Sequence, residues 1–407
     1  MKLKRSLPSV PNATRQLCGI LCLFILYGNS NAQEKIPLIK STHGNAIIAD
    51  GEHIRLNWKL SPELKPDVYY LNIPSIESKV SLKTNLDSIS FDTKPGQKYD
   101  VMVLLHEKDT CHIQIASTHP PTTVAIHYDE KLPLSIPFSL VGSRVYFQGQ
   151  LNGKAVNIQL DFGAGTNVIN KMNSDKLDLN FSTTTWVDNT DGVHEERTSL
   201  NNELTIGNVG WTGIPVTEVN NMKPFEDMII GNALFRDKII ELDYDRMQLT
   251  IHDKLPFKAK SYTKQPVFYE QSRPKFEAKF IHNNKSYKFW FLFDTGRNGT
   301  MLIGEDFTSR NLHWEELKEL MIINERKIVR LDAIIAGQKI KDIVTNAANP
   351  EKPQGRPTLF GNQILNHFNA ILDNTKGILY LKPNHRMQEP YSDYNSFLKE
   401  VAKMQKE

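Results

Sequence analysis

Three cysteines in 407 residues are too few for a disulfide scaffold, and two of them, Cys18 and Cys22, fall in the first apolar run of the chain. Cys111 is then left alone and has no intramolecular partner to bridge to. It lies in the alternating stretch Cys111-His112-Ile113-Gln114-Ile115, which reads as strand packing rather than as a nucleophile's setting. An excess of charge of one sign is missing as well. The formal charge is +3, but Lys2, Lys4, Arg5 and Arg15 are the only charged residues among the first 32; without them 45 basic residues face 46 acidic ones. A nearly neutral chain lacks the basic footprint of a nucleic-acid binder, so no nucleic-acid partner is expected. With 22 glycines and 21 prolines the chain is neither collagenous nor low in complexity. No apolar run approaches the roughly 20 residues that span a bilayer. There is no His-Glu-x-x-His, no Gly-x-Ser-x-Gly elbow and no glycine-rich phosphate loop, and the 12 histidines are scattered. Neither a metal nor a cofactor is expected.

What is present starts at the N-terminus. A basic segment precedes the 11-residue apolar run Leu17–Tyr27, and Ser30 and Ala32 supply small residues at −3 and −1. This is the pattern of a secretory signal peptide over 1–32, cleaved after Ala32. It implies an exported protein, periplasmic or secreted, with no stable membrane insertion once the signal is gone.

From 33 to 130, short alternating runs such as Ile54-Arg55-Leu56-Asn57-Trp58 and Tyr99–Leu105 are broken by turn residues, which predicts a small sandwich-like β domain. Pro120-Pro121 and the prolines at 133 and 137 suggest a linker or an extended edge strand. The rest repeats itself. Leu160-Asp161-Phe162-Gly163-Ala164 is echoed by Phe293-Asp294-Thr295-Gly296-Arg297, 133 residues on. Ile229-Ile230-Gly231 is echoed by Leu359-Phe360-Gly361, and Leu242-Asp243 by Leu372-Asp373, both at 130. Three landmarks in one order at nearly one offset predict two copies of a β-rich unit, over 138–256 and 264–384. The tail, 385–407, places Tyr394, Phe397, Leu398, Val401 and Met404 at helical spacing.

An aspartate that ends a buried strand and is followed by glycine is, alone, a turn. Two such turns in a doubled scaffold can meet face to face. Carboxylates about 3 Å apart at an effective dielectric near 20 repel by roughly 5–6 kcal/mol. That is about 4 pK units, so the pair holds one proton between them over a wide pH range. Such a pair can take a proton from water with its charged member and give one with the other.

Here the chain resembles the retropepsin-like and pepsin-like aspartic peptidases. Asp294-Thr295-Gly296, and less closely Asp161-Phe162-Gly163-Ala164, resemble the family's active-site turn. The resemblance implies a mainly β, two-lobed body of tandem retropepsin-like barrels, with Asp161 and Asp294 as the catalytic pair. Gly163, Ala164, Thr295 and Gly296 would support the turns, and Ile230, Gly231, Phe360 and Gly361 would pack behind them. It also implies a peptide or protein substrate in an inter-lobe cleft, a hairpin flap (here Trp186–Val193) and a monomer, since both lobes lie in one chain. Two departures stand out. Phe162 replaces one of two hydroxyl residues that brace the lobes, and Arg297 replaces a small residue beside a catalytic aspartate. Its guanidinium can pair with the carboxylate or turn outward to substrate. A catalytically impaired module that binds peptide or polysaccharide is therefore the alternative. A glycoside hydrolase is a second, and would need the carboxylates about 5–9.5 Å apart.

Overall fold

Period-two alternation turns the first eight strands into two facing four-stranded sheets. Lys98–Leu105 and Asp109–Ala116 point Val101, Val103, Cys111, Ile113 and Ile115 inward, where Ile48, Val80 and Leu82 of the other sheet meet them. The first sheet runs Leu38–Ser41, Lys98–Leu105, Asp109–Ala116, Asp67–Tyr70; the second runs Ile54–Lys59, Asn45–Asp50, Ser78–Lys83, Ser88–Thr93. Cys111 is fully buried opposite Val103. The structure is a computed structural model that describes residues 36–405 apart from 53, 190, 191 and 353; the segment read as a signal peptide lies outside the described residues. Among the described residues no helix is long and apolar enough to cross a membrane.

Ala125–Tyr128, assigned above to the N-terminal domain, instead pairs with Val209–Val219 and extends the first lobe's sheet. Leu134–Pro137 pairs with Gln248–His252, so the proline-spaced stretch is an edge strand of the body. The strands 125–137 are too short and too polar outward to close a core of their own, and the lobes offer free edges.

Each lobe closes into a six-stranded barrel. In the first, Arg144–Leu151, Lys154–Leu160, Met228–Ile230, Val168–Asn170, Val209–Val219 and Gly192–Ile206 follow one another, and Leu151 pairs with Leu204 to complete the ring. In the second, Arg273–His282, Lys285–Asp294, Leu359–Gly361, Met301–Ile303, Gln338–Ala347 and Arg326–Ile335 do the same, closed by Phe280 opposite Ala333. The alternation in KSYKFWFLFD drives Tyr287, Phe289, Phe291 and Phe293 into the second barrel's core and brings Asp294 to its end.

The lobes are joined by a six-stranded sheet to which each gives three strands. Its order is Leu134–Pro137, Gln248–His252, Ile239–Asp243, Phe368–Asp373, Ile378–Pro383, Thr263–Glu270. At its centre Ile240 lies opposite Leu372 and Leu242 opposite Ala370. Under the 130-residue offset, residues 240 and 370 are equivalent, as are 242 and 372. The pairing is therefore symmetric about Glu241 and Ile371, and a pseudo-twofold axis passes there. The predicted tail helix is Tyr394–Met404, N-capped by Asp393, whose carboxylate accepts from the Ser396 amide at 2.8 Å.

Candidate active site

Asp161 follows directly on the buried strand Lys154–Leu160, and Asp294 ends Lys285–Asp294. Each strand is clamped by the second element of its repeat. Leu160 lies opposite Ile230 and Asp294 opposite Gly361, both in parallel register, and the Asp161 amide donates to the Ile230 carbonyl at 2.9 Å. Ile230 and Phe360 have no exposed surface. A side-chain carbon on Gly231 would fall 2.5 Å from the Ala164 carbonyl oxygen, and one on Gly361 would fall 2.3 Å from that of Gly299. Glycine is required at both positions because the turn backbone lies directly against them.

The two turns meet. A side-chain carbon on Gly163 would stand 2.7 Å from Asp294 Oδ1 and 2.9 Å from Asp161 Oδ1, so both oxygens crowd one point. On Gly296 it would stand 2.2 Å from the Asp161 carboxyl carbon. The two carboxyl groups thus crowd one point across the seam and bear on each other's titration. Oxygens 2.7 and 2.9 Å from one point are closer together than the roughly 6.5–9.5 Å spacing of an inverting glycoside hydrolase.

Backbone amides hold each carboxyl. Asp161 Oδ1 accepts from Gly163 N at 2.7 Å. Asp294 Oδ1 accepts from Gly296 N at 3.1 Å and from Arg297 N at 3.0 Å. Both side chains keep some solvent contact although protein surrounds them on nearly every side. Burial, then the Asp294 charge, pushes Asp161 up. Asp294 is also raised by burial, against the pull of the Arg297 charge, the neighbouring Asp161 carboxyl and the two amides. The pair therefore retains a proton well above the ordinary carboxylate range, and it titrates as one unit. Asp294, with two amides and a guanidinium nearby, is the better seat for the negative charge.

Thr295 is fully buried, and its hydroxyl spans the seam. It accepts from Phe162 N at 2.9 Å and donates to the Leu160 carbonyl at 3.1 Å. Phe162 has no hydroxyl to return the brace. Its ring turns inward, 6.4 Å from Phe235 of its own lobe and 6.3 Å from Phe293 of the other. An aromatic bridge replaces half of a polar one. Gln159 Nε2 adds a further cross-lobe bond to the Gly296 carbonyl at 3.2 Å.

Reading the sequence missed the outer seam. Asn232 donates to the Ser272 carbonyl at 3.0 Å and to Asn374 Oδ1 at 2.9 Å. Its equivalent, Asn362, donates to the Ser143 carbonyl and accepts from Tyr244 Oη at 2.8 Å. The signal was present: Gly-Asn recurs at the 130 offset in both repeats. The candidate flap belongs to the hairpin Phe181–Asn189 with Gly192–Ile206, and the Trp186 indole is largely exposed. A second hairpin, Glu319–Ile323 with Arg326–Ile335, occupies the matching place in the other lobe; Ile322 is exposed on it. Among the described residues no group of histidine, cysteine or acidic side chains is arranged to hold a metal ion.

Residues 147–234 match the family model described as aspartyl protease, a span that includes the Asp161 turn and Ile230-Gly231. No curated protein matches the chain. The geometry and this match together support an aspartic-peptidase-like body.

Proposed function

We propose that the protein is an exported aspartic endopeptidase that acts as a monomer on peptides or proteins. The observation that carries the reading is the crowding of the Asp161 and Asp294 carboxyls at one point on the seam of two matched barrels. A water bound between the carboxyls gives its proton to the ionised Asp294 as its oxygen attacks the peptide carbonyl. Asp161 gives its proton to the carbonyl oxygen, leaving a neutral tetrahedral diol. Asp294 then protonates the leaving nitrogen, Asp161 recovers a proton from the diol, and the C–N bond breaks. Acid and base are both supplied by the pair, one carboxyl protonated and the other ionised.

The test is a digest of a mixed peptide library by wild type, Asp161→Asn and Asp294→Asn, with and without a statine-type transition-state inhibitor. Cleavage by wild type alone, suppressed by the inhibitor, supports the reading. Three identical digests would overturn it. The one-sided brace at Phe162 favours a second reading, a cleft that binds peptide without cutting it. In that case labelled peptides bind all three proteins alike and none is cleaved.

A further inference from the structure

We propose that the cleft contains a carboxylate-binding subsite centred on Arg297, which selects peptides carrying an acidic group beside the scissile bond. The proposal rests on the peptidase reading and names its substrate class. Arg297 comes directly after the Asp294 turn, and its stem lies in a slot made by two glycines. A side-chain carbon on Gly361 would fall 3.1 Å from Arg297 Cγ and Cδ, and one on Gly299 would fall 3.3 Å from Nε. The backbone thus sets the direction of the guanidinium. Among the described residues that guanidinium forms no ion pair and no hydrogen bond, and its Nε is buried without a partner. Asp294 attracts it without closing a salt bridge.

Three arginines repel it. Arg144, Arg326 and Arg356 all push on Arg297. Arg144 is committed to buried Glu226 at 3.3 Å, an oxygen that also accepts from Tyr146 Oη at 2.5 Å. Arg326 stands at the tip of the second lobe's hairpin and donates to the neutral side chain of Gln354. Glu325 beside it pairs with Lys352. Positive charges acting on a partly desolvated guanidinium disfavour one another, and a bound anion relieves them. One unpaired planar fork fits one carboxylate in bidentate fashion. That carboxylate can be an aspartate or glutamate side chain or the C-terminus of the substrate.

The experiment uses the full chain. After a mixed library has located a scissile bond, matched peptides carry Glu or Gln at each flanking position, and a further pair ends in a free acid or an amide. Wild type is expected to prefer the acid member of one pair by roughly 10- to 100-fold in kcat/KM, the value of a charge-assisted hydrogen bond. Arg297→Met should bring that ratio close to one, Arg297→Lys should restore part of it, and added salt should shrink it. The pair that responds identifies a side-chain or a terminal carboxylate. Equal cleavage of acid and neutral peptides by wild type overturns the subsite and leaves the peptidase reading standing. If nothing is cleaved, fluorescence anisotropy of the same labelled pairs decides. Acid-selective binding lost in Arg297→Met sustains the subsite while the peptidase reading fails, and equal or absent binding overturns both.

Discussion

Replacing Thr295 by valine keeps the shape of the side chain and deletes the one hydroxyl that ties the two turns together. The change strands two groups at once. The Phe162 amide loses its acceptor and the Leu160 carbonyl loses a donor, and both residues are buried beyond the reach of bulk water. An unsatisfied buried group costs about 1–3 kcal/mol, so the variant should lose about 2–5 kcal/mol. With a urea slope of roughly 2–3 kcal/mol/M, the unfolding midpoint should fall by about 1–2 M. Thr295→Ser keeps the hydroxyl and gives up one methyl, at a cost of about 1 kcal/mol. Phe162 returns no matching hydroxyl, and the remaining bond between the turns, from Gln159 Nε2 to the Gly296 carbonyl, satisfies neither stranded group. The assay is urea unfolding followed by tryptophan fluorescence, read beside turnover of a library-derived peptide. Turnover should fall with the midpoint in the valine variant and largely survive in the serine one. A valine variant as stable and as active as wild type, or a serine variant as damaged as valine, would refute the idea that this hydroxyl carries the seam.

Asp161 is raised on folding from 3.8 to about 8, so the folded chain binds more protons than the unfolded one between those values. Its burial then costs nothing below about pH 4, costs progressively more as pH rises, and costs most above about pH 8. Asp161→Asn should accordingly leave the melting temperature nearly unchanged near pH 4 and raise it near pH 9; a flat difference would exclude a shared buried proton. Gly296→Ala drives a carbon to within 2.2 Å of the Asp161 carboxyl carbon, and turnover should fall at least 100-fold while circular dichroism stays β-rich; unchanged turnover would show that the turns do not meet. Asn362→Ala leaves the Ser143 carbonyl and Tyr244 Oη without their cross-lobe partner and should cost about 2–3 kcal/mol in urea unfolding, with Asn232→Ala costing a similar amount by pseudo-symmetry. Stability untouched by either change would place the seam elsewhere.

Much of this arrangement was readable because it was written twice. Strand alternation, the Asp-x-Gly turns and the glycine elements recur at a common offset, and a repeat of local pattern survives without knowledge of contacts. The edge of the N-terminal domain was not readable in the same way. Ala125–Tyr128 alternates like any strand of that domain, and only the free edge of Val209–Val219 decides where it pairs. The second flap-like hairpin lay within reach of the offset, yet its apolar residues Leu320, Ile322 and Ile323 carry no local mark that sets a flap apart.

Local chemistry along the chain set which residues end buried strands, where glycine is compulsory and that two carboxylates would be available. Tertiary structure alone decided that these carboxyls crowd one point, that the Phe162 ring fills the interface where a hydroxyl would have bonded, and that, among the described residues, Arg297 is left without an ion partner beside Asp294. The reason is the range of the forces. Alternation and turn preference act over a few residues and are legible in order, whereas proton sharing and charge crowding depend on distances of a few ångströms between groups more than a hundred residues apart.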